Sequence, residues 1–398
     1  MKNPAHRHLV LFAALCGVTG LAGWAFYVAA LSREPAQDWM VYYSAARAAL
    51  DGNLALLFDG DRFTALMNAR FADYLSWPLP LHPWLYPPYF LFALVPFGLL
   101  PFAAAGFLFL ALGFAGALAA CWSVAPRRDR SIHAASLLLA PATAITVCLG
   151  QNSFLTAALM VGGFGLIGRR PRLAGAFLGV LTYKPQLWLL VPVALVAGRH
   201  WKALASAVLT AAALAVLSGA IFGAQIWLDW LALMTAPSEL YEKWLQIGRL
   251  NGQSVYTCAV LLGASPALAN LAQALSALAA AACVFAIYRS AAADDLRLAV
   301  LLAAAMLAAP HLIGYDGVLL AIAATLLFTR ALAEGFRAGE AVVIFLAWAS
   351  PLANPPSIVP LGLATPLLIA LFIAMVMHRA RAWRAPAPRR SETLSLRA

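Results

Sequence analysis

Six short polar segments contain the residues of this sequence that could carry out chemistry, and five of them stand at the end of an apolar stretch. A carboxylate can take a proton from a reacting hydroxyl group, and a cation can stabilise a phosphate that gains negative charge. Asp38 is the candidate catalytic residue, and the candidate substrate-binding residues are Tyr42, Tyr86, Gln151, Asn152, Lys184, Arg249, His311, Tyr315 and Asp316. No carboxylates among them have ligand-like spacing and no phosphate-binding loop is present, so we predict neither a metal ion nor a cofactor.

Each candidate also has a purely structural interpretation. Asp38 could stabilise the first turn of a helix, and Asn152 could cap the helix that follows it. Lys184 could extend its ammonium group to the lipid headgroups, as lysines near a membrane boundary do. A belt of aromatic residues at the membrane–water interface could include Trp39, Trp77, Trp84 and Tyr86. If these interpretations hold, the side chains should cap helices or face the membrane interface, and they should not meet one another in a buried site.

The composition is that of a membrane protein. Of the 398 residues, 63% are apolar and only 11% are charged, whereas roughly 25% are charged in soluble domains. The net charge of +11 would suit nucleic acid only if the basic residues lay on a solvated domain. No soluble stretch is long enough to form one, so we expect membrane lipids and no nucleic acid as partners.

The apolar stretches predict an all-α polytopic membrane protein with about 12 membrane helices, because roughly 20 apolar residues span a bilayer. Two stretches are less regular: prolines bound and interrupt Tyr86–Leu100, and Lys184-Pro185 divides Leu173–Ala197 into half-length, re-entrant pieces. The regular stretches are Leu9–Leu31, Phe102–Val124, Ile132–Leu149, Phe154–Ile167, Trp201–Phe222, Ala267–Tyr288, Leu298–Ala309, Val318–Thr329, Val342–Ala349 and Ile358–Met377.

The basic residues predict the topology. If Leu173–Ala197 goes into the membrane and returns, 20 of the 27 Lys and Arg residues fall on one side, which is then the cytoplasmic side. Both termini are cytoplasmic in this arrangement, and every candidate site residue lies at the non-cytoplasmic face of the inner, plasma membrane. We predict one integral membrane domain over residues 1–383 and a disordered basic tail over 384–398.

Two long non-cytoplasmic loops follow from this topology, over residues 32–85 and 223–257. In the first loop, apolar residues recur every three or four positions from Met40 to Leu50 and again from Phe63 to Phe71. This spacing predicts two amphipathic helices, which we expect to lie on the membrane interface.

Taken together, the polar segments resemble the bacterial polyprenyl-phosphate-mannose-dependent alpha-mannosyltransferase-like family of the GT-C glycosyltransferases. The resemblance extends from Asp38 to Asp316. It rests on the order and spacing of Asp38, Tyr42-Tyr43-Ser44-Ala45-Ala46, Gly52, Tyr86-Pro87-Pro88, Gly150-Gln151-Asn152 and Lys184-Pro185. It implies a GT-C-like membrane hexosyltransferase that moves a mannose-like sugar from a polyprenyl-phosphate donor to a lipid or glycan acceptor. In that family an acidic residue of the first outer loop is the catalytic base, and here this residue is Asp38.

The residues are consistent with such a reaction. A polyprenyl-phosphate sugar carries its own leaving group, so one base at the acceptor hydroxyl suffices for an inverting single displacement. Lys184, His311 or Arg249 could neutralise the departing phosphate.

Two other functions remain open at this point, a secondary transporter and an envelope lipid-linked glycan ligase or flippase. Transporters usually have duplicated halves and short outer loops, and neither feature is visible in this sequence.

Overall fold

The computed structural model describes residues 4–32, 36–235, 252–353 and 364–382, and these residues are almost entirely helical. In chain order the α-helices are α1 (Pro4–Leu31), α2 (Gln37–Leu50), α3 (Gly60–Arg70), α4 (Leu91–Gly98), α5 (Phe102–Val124), α6 (Arg130–Leu139), α7 (Pro141–Leu149), α8 (Ser153–Leu166), α9 (Pro171–Val180), α10 (Pro185–Trp188), α11 (Val191–Ala197), α12 (Trp201–Phe222), α13 (Gln225–Thr235), α14 (Val255–Leu261), α15 (Pro266–Tyr288), α16 (Asp294–Ala308), α17 (Gly317–Glu334), α18 (Glu340–Ala349) and α19 (Thr365–Ala382). Within the described ranges no strand forms, and the all-α prediction is confirmed.

Five of the described helices, namely α1, α5, α12, α15 and α17, are long and apolar enough to cross a membrane. The bent pair of α6 and α7 would make a sixth crossing, and shorter apolar helices, such as α8, accompany them. The chain is therefore a multi-pass membrane protein. The predicted total of about twelve helices is not confirmed, and the predicted tail 384–398 lies outside the described residues.

Helices α16 and α17 form the centre of the molecule. In the segment Gly314–Glu334, which contains α17, 78% of the most apolar window is buried, against 11% for the windows in α1 and α12. Helix α16 packs against α15, α17 and α19, and its residues from Leu298 to Ala308 are all buried. Because α1 and α12 bury so little of their apolar surface, that surface faces lipid.

Two apolar stretches are broken in the structure. The predicted span Ile132–Leu149 is wrong as a single helix, because α6 and α7 meet at a bend of 52°. Pro141 causes the break, since proline has no N–H to continue the ladder of backbone hydrogen bonds. The predicted interruption at Lys184-Pro185 is present: α9 ends before it, and the short helices α10 and α11 follow it.

Both helices predicted in the first loop are present, as α2 and α3, but α2 does not lie on the surface. Eight of its residues are buried, among them Trp39, Met40 and Tyr42, and it packs along α4. The interfacial placement expected for α2 is therefore not confirmed. Its small residue Ala46 allows close contact with Gly98 of α4, where an added Cβ atom would lie 3.0 Å from Ala46 Cβ.

Candidate active site

Four segments that are distant in the sequence meet at one end of the helices. They are the first turn of α2, the turn between α7 and α8, the break between α9 and α10, and the turn before α17. A backbone hydrogen bond of 2.7 Å from Ala36 N–H to Cys148 O joins the first two. We use "polar cluster" for the side chains gathered there: Asp38, Tyr42, Tyr86, Gln151, Asn152, Lys184, Tyr315 and Asp316.

Trp39 holds the first turn of α2 in place. Its indole N–H donates to Phe102 O at 3.1 Å, and glycines lie against it on two sides. A Cβ atom at Gly150 would lie 2.4 Å from Trp39 Cβ, and one at Gly106 would lie 2.8 Å from the indole nitrogen. Gly150 also has φ of +70°, a conformation that glycine adopts without strain. The residue next to Trp39 along the chain is Asp38, so this contact also fixes the position of the carboxylate.

The Asp38 side chain is half-buried and does not cap its helix. The N-cap of α2 is Ala36, and no side chain accepts a hydrogen bond from the first turn. Asp38 Oδ2 instead accepts a hydrogen bond of 3.0 Å from Gln151 Nε2. Oδ1 accepts none from the residues that the structure describes. Asp38 is therefore not a capping residue, although its carboxylate lies in the first turn of α2, where it interacts favourably with the helix dipole.

Gln151 and Asn152 connect this carboxylate to two tyrosines. Gln151 Oε1 accepts hydrogen bonds from the Tyr42 hydroxyl and from Asn152 N–H, the latter at 2.7 Å. Asn152 Nδ2 donates to the Tyr42 hydroxyl at 3.0 Å, and the hydroxyls of Tyr42 and Tyr86 are 2.7 Å apart. Asn152 occupies the N-cap position of α8, but its side chain makes no capping bond. The capping interpretation is thus wrong for Asn152 as well.

Lys184 and Asp316 form a buried ion pair. Lys184 Nζ donates to Asp316 Oδ1 at 3.0 Å, and the two residues are 3% and 4% exposed. Asp316 Oδ2 accepts from Ile313 N–H at 3.4 Å. The Lys184 ammonium group also lies 5.2 Å from the centroid of the Tyr315 ring, within the range of a cation–π interaction. Extension of Lys184 to the lipid headgroups is therefore wrong.

Several charges act on Asp38. Burial raises the pKa of its carboxyl group, whereas His82, Lys184 and the hydrogen bond from Gln151 lower the pKa, and Asp316 raises it. Removal from water disfavours an ionised carboxylate, and nearby cations favour it. Burial also lowers the pKa of His311 to about 4. His311 is thus neutral at pH 7, which leaves Lys184 as the cation of the polar cluster among the described residues.

The remaining candidates are placed as follows. His311 lies beside the ion pair and acts electrostatically on both Asp316 and Lys184. Arg249 lies outside the described residues. The chain after it returns to the site, since Gln253 N–H donates to Leu312 O at 2.8 Å. Among the described residues no group of three His, Cys, Asp or Glu side chains is arranged to hold a metal.

The sequence analysis missed His82 and misplaced two tryptophans. His82 donates its backbone N–H to Thr64 Oγ1 at 3.0 Å, and its Nδ1 lies 2.7 Å from Pro80 O. His82 could have been recognised from the sequence by its position in the proline-rich segment that leads to Tyr86. Trp39 and Trp84 are 2% and 0% exposed, so the belt interpretation is wrong for both.

The helices and the polar cluster together define a class of protein: a multi-pass membrane protein with a carboxylate and an ammonium group gathered at one end of its helices. The model of glycosyltransferase family 87 matches residues 84–314, which is more than half of the chain, and the protein belongs to that family. Comparisons with curated proteins and with solved structures gave no match. The matched segment includes Gln151, Lys184 and His311, and it ends two residues before Asp316.

Proposed function

We propose that the protein transfers a mannose-like hexose from a polyprenyl-phosphate donor to an acceptor hydroxyl group at the non-cytoplasmic face of the membrane. One observation carries the proposal. The half-buried Asp38 keeps an oxygen atom that accepts no hydrogen bond from the described residues, and it lies in the same cluster as the ammonium group of Lys184. A base and a cation are the two groups that displacement of a phosphate by a hydroxyl group requires.

The reaction is a single displacement. The acceptor oxygen attacks C1 of the sugar while Asp38 Oδ1 takes its proton, and the bond between C1 and the phosphate oxygen breaks. The electron pair of that bond stays on the phosphate, so the polyprenyl phosphate leaves with one more negative charge. Attack from the side opposite the leaving group inverts the configuration at C1.

Asp38 suits the role of base better than Asp316 does. Both oxygens of Asp316 have partners, since Oδ1 faces Lys184 and Oδ2 faces Ile313 N–H. A proton on Asp316 would also remove the charge that balances buried Lys184. Asp38 has one oxygen held by Gln151, and its other oxygen accepts no bond in the part of the chain that the structure describes.

Lys184 suits the leaving phosphate. An ammonium group has three N–H donors, and Lys184 Nζ donates one hydrogen bond to a described residue, Asp316. The other two donors can bind the phosphate oxygens. A cation acts more strongly in this setting than in water because Lys184 is only 3% exposed.

The family membership supports a glycosyltransferase over the transporter considered above. The direct test is to incubate the purified full chain with polyprenyl phosphates that carry labelled mannose, glucose or galactose, and to add a lipid extract as acceptor. We expect the label to leave the carrier and to appear covalently bound to an acceptor, fastest with mannose. Label that stays on its carrier with all three donors would refute the proposal. Transfer of the intact lipid-linked glycan would instead favour the ligase.

The face of action needs a separate test. Arg330 and Arg379, both predicted to be cytoplasmic, lie together at the end of the helices away from the polar cluster. In a background without the native cysteines, we expect Asp51→Cys to react with an impermeant thiol reagent from outside intact cells. Arg199→Cys should react only after the cells are opened, and the reverse pattern would refute the proposed face.

A further inference from the structure

We infer that Gln151 is a positioning residue for Asp38: its side-chain amide fixes the orientation of the carboxylate and leaves Oδ1 facing the acceptor. The sequence analysis expected Gln151 to contact the substrate, so this is a different role. The inference rests on the proposed function, because it concerns the base of that reaction. It is carried by the hydrogen bonds that join the Gln151 side chain to Asp38, Tyr42 and Asn152 N–H.

The orientation of the Gln151 amide is determined by its neighbours. Asn152 N–H lies 2.7 Å from Oε1, and a backbone N–H can only donate a hydrogen bond. The Tyr42 hydroxyl donates to the same oxygen. The oxygen must therefore face these two donors, and Nε2 must face Asp38 Oδ2 at 3.0 Å. Gln151 is 2% exposed, so it has little freedom to rotate.

The Gln151 backbone is held as firmly as its side chain. Its N–H donates to Thr146 O at 2.8 Å, which closes the end of α7. Gly150, in the left-handed conformation, then turns the chain toward α8. The amide that orients Asp38 is thus attached to the turn between two buried helices rather than to a loop in solvent.

The hydrogen bond from Gln151 Nε2 to Asp38 Oδ2 favours the ionised carboxylate, and its loss should raise the pKa of Asp38. The other groups that face Asp38 stay in place when Gln151 is replaced. They are His82 from the proline-rich segment, Lys184 from the break before α10, Asp316 and Tyr315 from the turn before α17, Tyr86, and Tyr42 of the same helix. A base works only when it is ionised. The rate therefore falls as the pH drops through its pKa, and this fall should move to higher pH without Gln151.

The experiment measures kcat and KM against pH for the full chain and for Gln151→Met. We expect the acidic fall in kcat to move up by about one pH unit. The maximal kcat should drop about tenfold because the carboxylate is free to rotate, while KM for the polyprenyl-phosphate donor should hardly change. A residue that binds the substrate would raise KM and leave the position of the acidic fall unchanged.

Gln273→Met is the matched control. Gln273 is 6% exposed, accepts from Tyr256 N–H at 3.1 Å, and donates to the carbonyls of Leu307 and Ala308 at 3.2 and 3.0 Å. It is therefore a buried glutamine with a bonded amide outside the polar cluster. Its replacement should leave the acidic fall where it is in the wild-type protein, whatever it does to stability.

Gln151→Glu tests the same inference if the methionine variant does not fold. The variant keeps the shape and one acceptor oxygen but replaces the donor with a second carboxylate. Two adjacent carboxylates share a proton, so the acidic fall should move further up than in Gln151→Met.

An unshifted acidic fall in the folded variants, with Asp38→Asn inactive, would refute the positioning role and leave the proposed function intact. Full activity of Asp38→Asn would instead refute the proposed base.

Discussion

The polar cluster and a second group of charged side chains lie at opposite ends of α17 and differ in how many of their hydrogen-bonding groups have partners. We use "distal charge network" for the second group, which consists of Asp295, Arg330, Glu334, Glu340 and Arg379. Asp316 immediately precedes α17 and Arg330 lies 14 residues further on, about 21 Å along the helix at ~1.5 Å per residue.

The distal charge network uses most of its donors. Arg379, which is 3% exposed, donates to both carboxylate oxygens of Glu340 at 2.7 and 2.6 Å, to Glu334 at 2.8 Å and to Gly335 O at 2.7 Å. Arg330 donates to Asp295 through two nitrogens and to Glu334 through a third contact. These bonds connect α16, α17, α18 and α19. A network whose donors and acceptors are mostly bonded to one another holds helices together, and few of its groups remain to bind a ligand.

The polar cluster is incomplete by comparison. Among the described residues, Asn152 Oδ1 is buried without a hydrogen-bond partner, and Asp38 Oδ1 accepts no bond. Lys184 Nζ donates to one described acceptor, where an ammonium group can donate to three. Unbonded buried polar atoms cost free energy, and we propose that a bound substrate completes the bonding of these groups.

The largest effect on activity should come from Asp38→Asn. The amide keeps the size of the side chain but cannot accept the acceptor's proton, and loss of a general base costs roughly 10²–10⁴ in rate. Transfer of labelled sugar by the purified variant measures the loss, and binding of the donor should persist.

Asp51→Asn is the control for this substitution, since Asp51 lies at the other end of α2 and is paired with Arg47 at 3.1 Å on the surface. It should keep the wild-type rate. An Asp38→Asn protein as active as this control would place the base elsewhere.

Lys184→Gln should come next, with a loss of about 10² in the rate of transfer because the leaving phosphate loses its cation. Lys184→Arg should recover part of this loss, since arginine keeps the charge but differs in shape. The measurements are the rate of sugar transfer and the KM for the donor.

Lys184→Gln also leaves buried Asp316 without its partner, so the double variant Lys184→Gln with Asp316→Asn separates the two effects. We expect it to be as slow as the single variant. Wild-type activity in the double variant would show that Lys184 only balances Asp316.

The smallest effect on activity should come from Arg379→Met, although its effect on stability should be large. Removal of Arg379 leaves Glu340, which is 0% exposed, without a counter-charge, and breaking a buried ion pair costs about 3–5 kcal/mol. We expect a lower Tm of the protein in detergent and an unchanged kcat for the folded fraction.

Asp294→Asn is the matched control, because that carboxylate is paired with Arg297 but 96% exposed, and exposed pairs contribute little. Its Tm should stay at the wild-type value. A large loss of kcat in folded Arg379→Met would show that the distal charge network does more than hold the helices.

Length and hydropathy predict the helices that face lipid. The stretches Phe102–Val124 and Trp201–Phe222 have the same bounds in the sequence analysis and in the structure. The break at Pro141 could have been anticipated from the proline, but the angle of the bend depends on how α6 and α7 pack against other helices. The burial of α2 could not be predicted from its spacing, because periodicity shows which residues share a face and not what covers the opposite one.

The polar cluster was predicted as a set of residues, and the structure brings the described members together. Their partners were not predictable, since Lys184 and Asp316 are 132 positions apart and no local pattern relates them. Basic residues such as Arg330 and Arg379 were interpreted only as indicators of topology. The structure shows that they also hold helices together, which depends on acidic residues from other helices.

The two glycines that contact Trp39, Gly106 and Gly150, limit which substitutions the protein tolerates beside Asp38. A methyl group at residue 150 would overlap Trp39 and also meet an unfavourable backbone conformation, and one at residue 106 would push the indole ring from the other side. Either substitution would displace the neighbouring Asp38 without touching a substrate. Variants selected for new sugars or acceptors should therefore accumulate changes around the opening of the polar cluster and retain glycine at both positions.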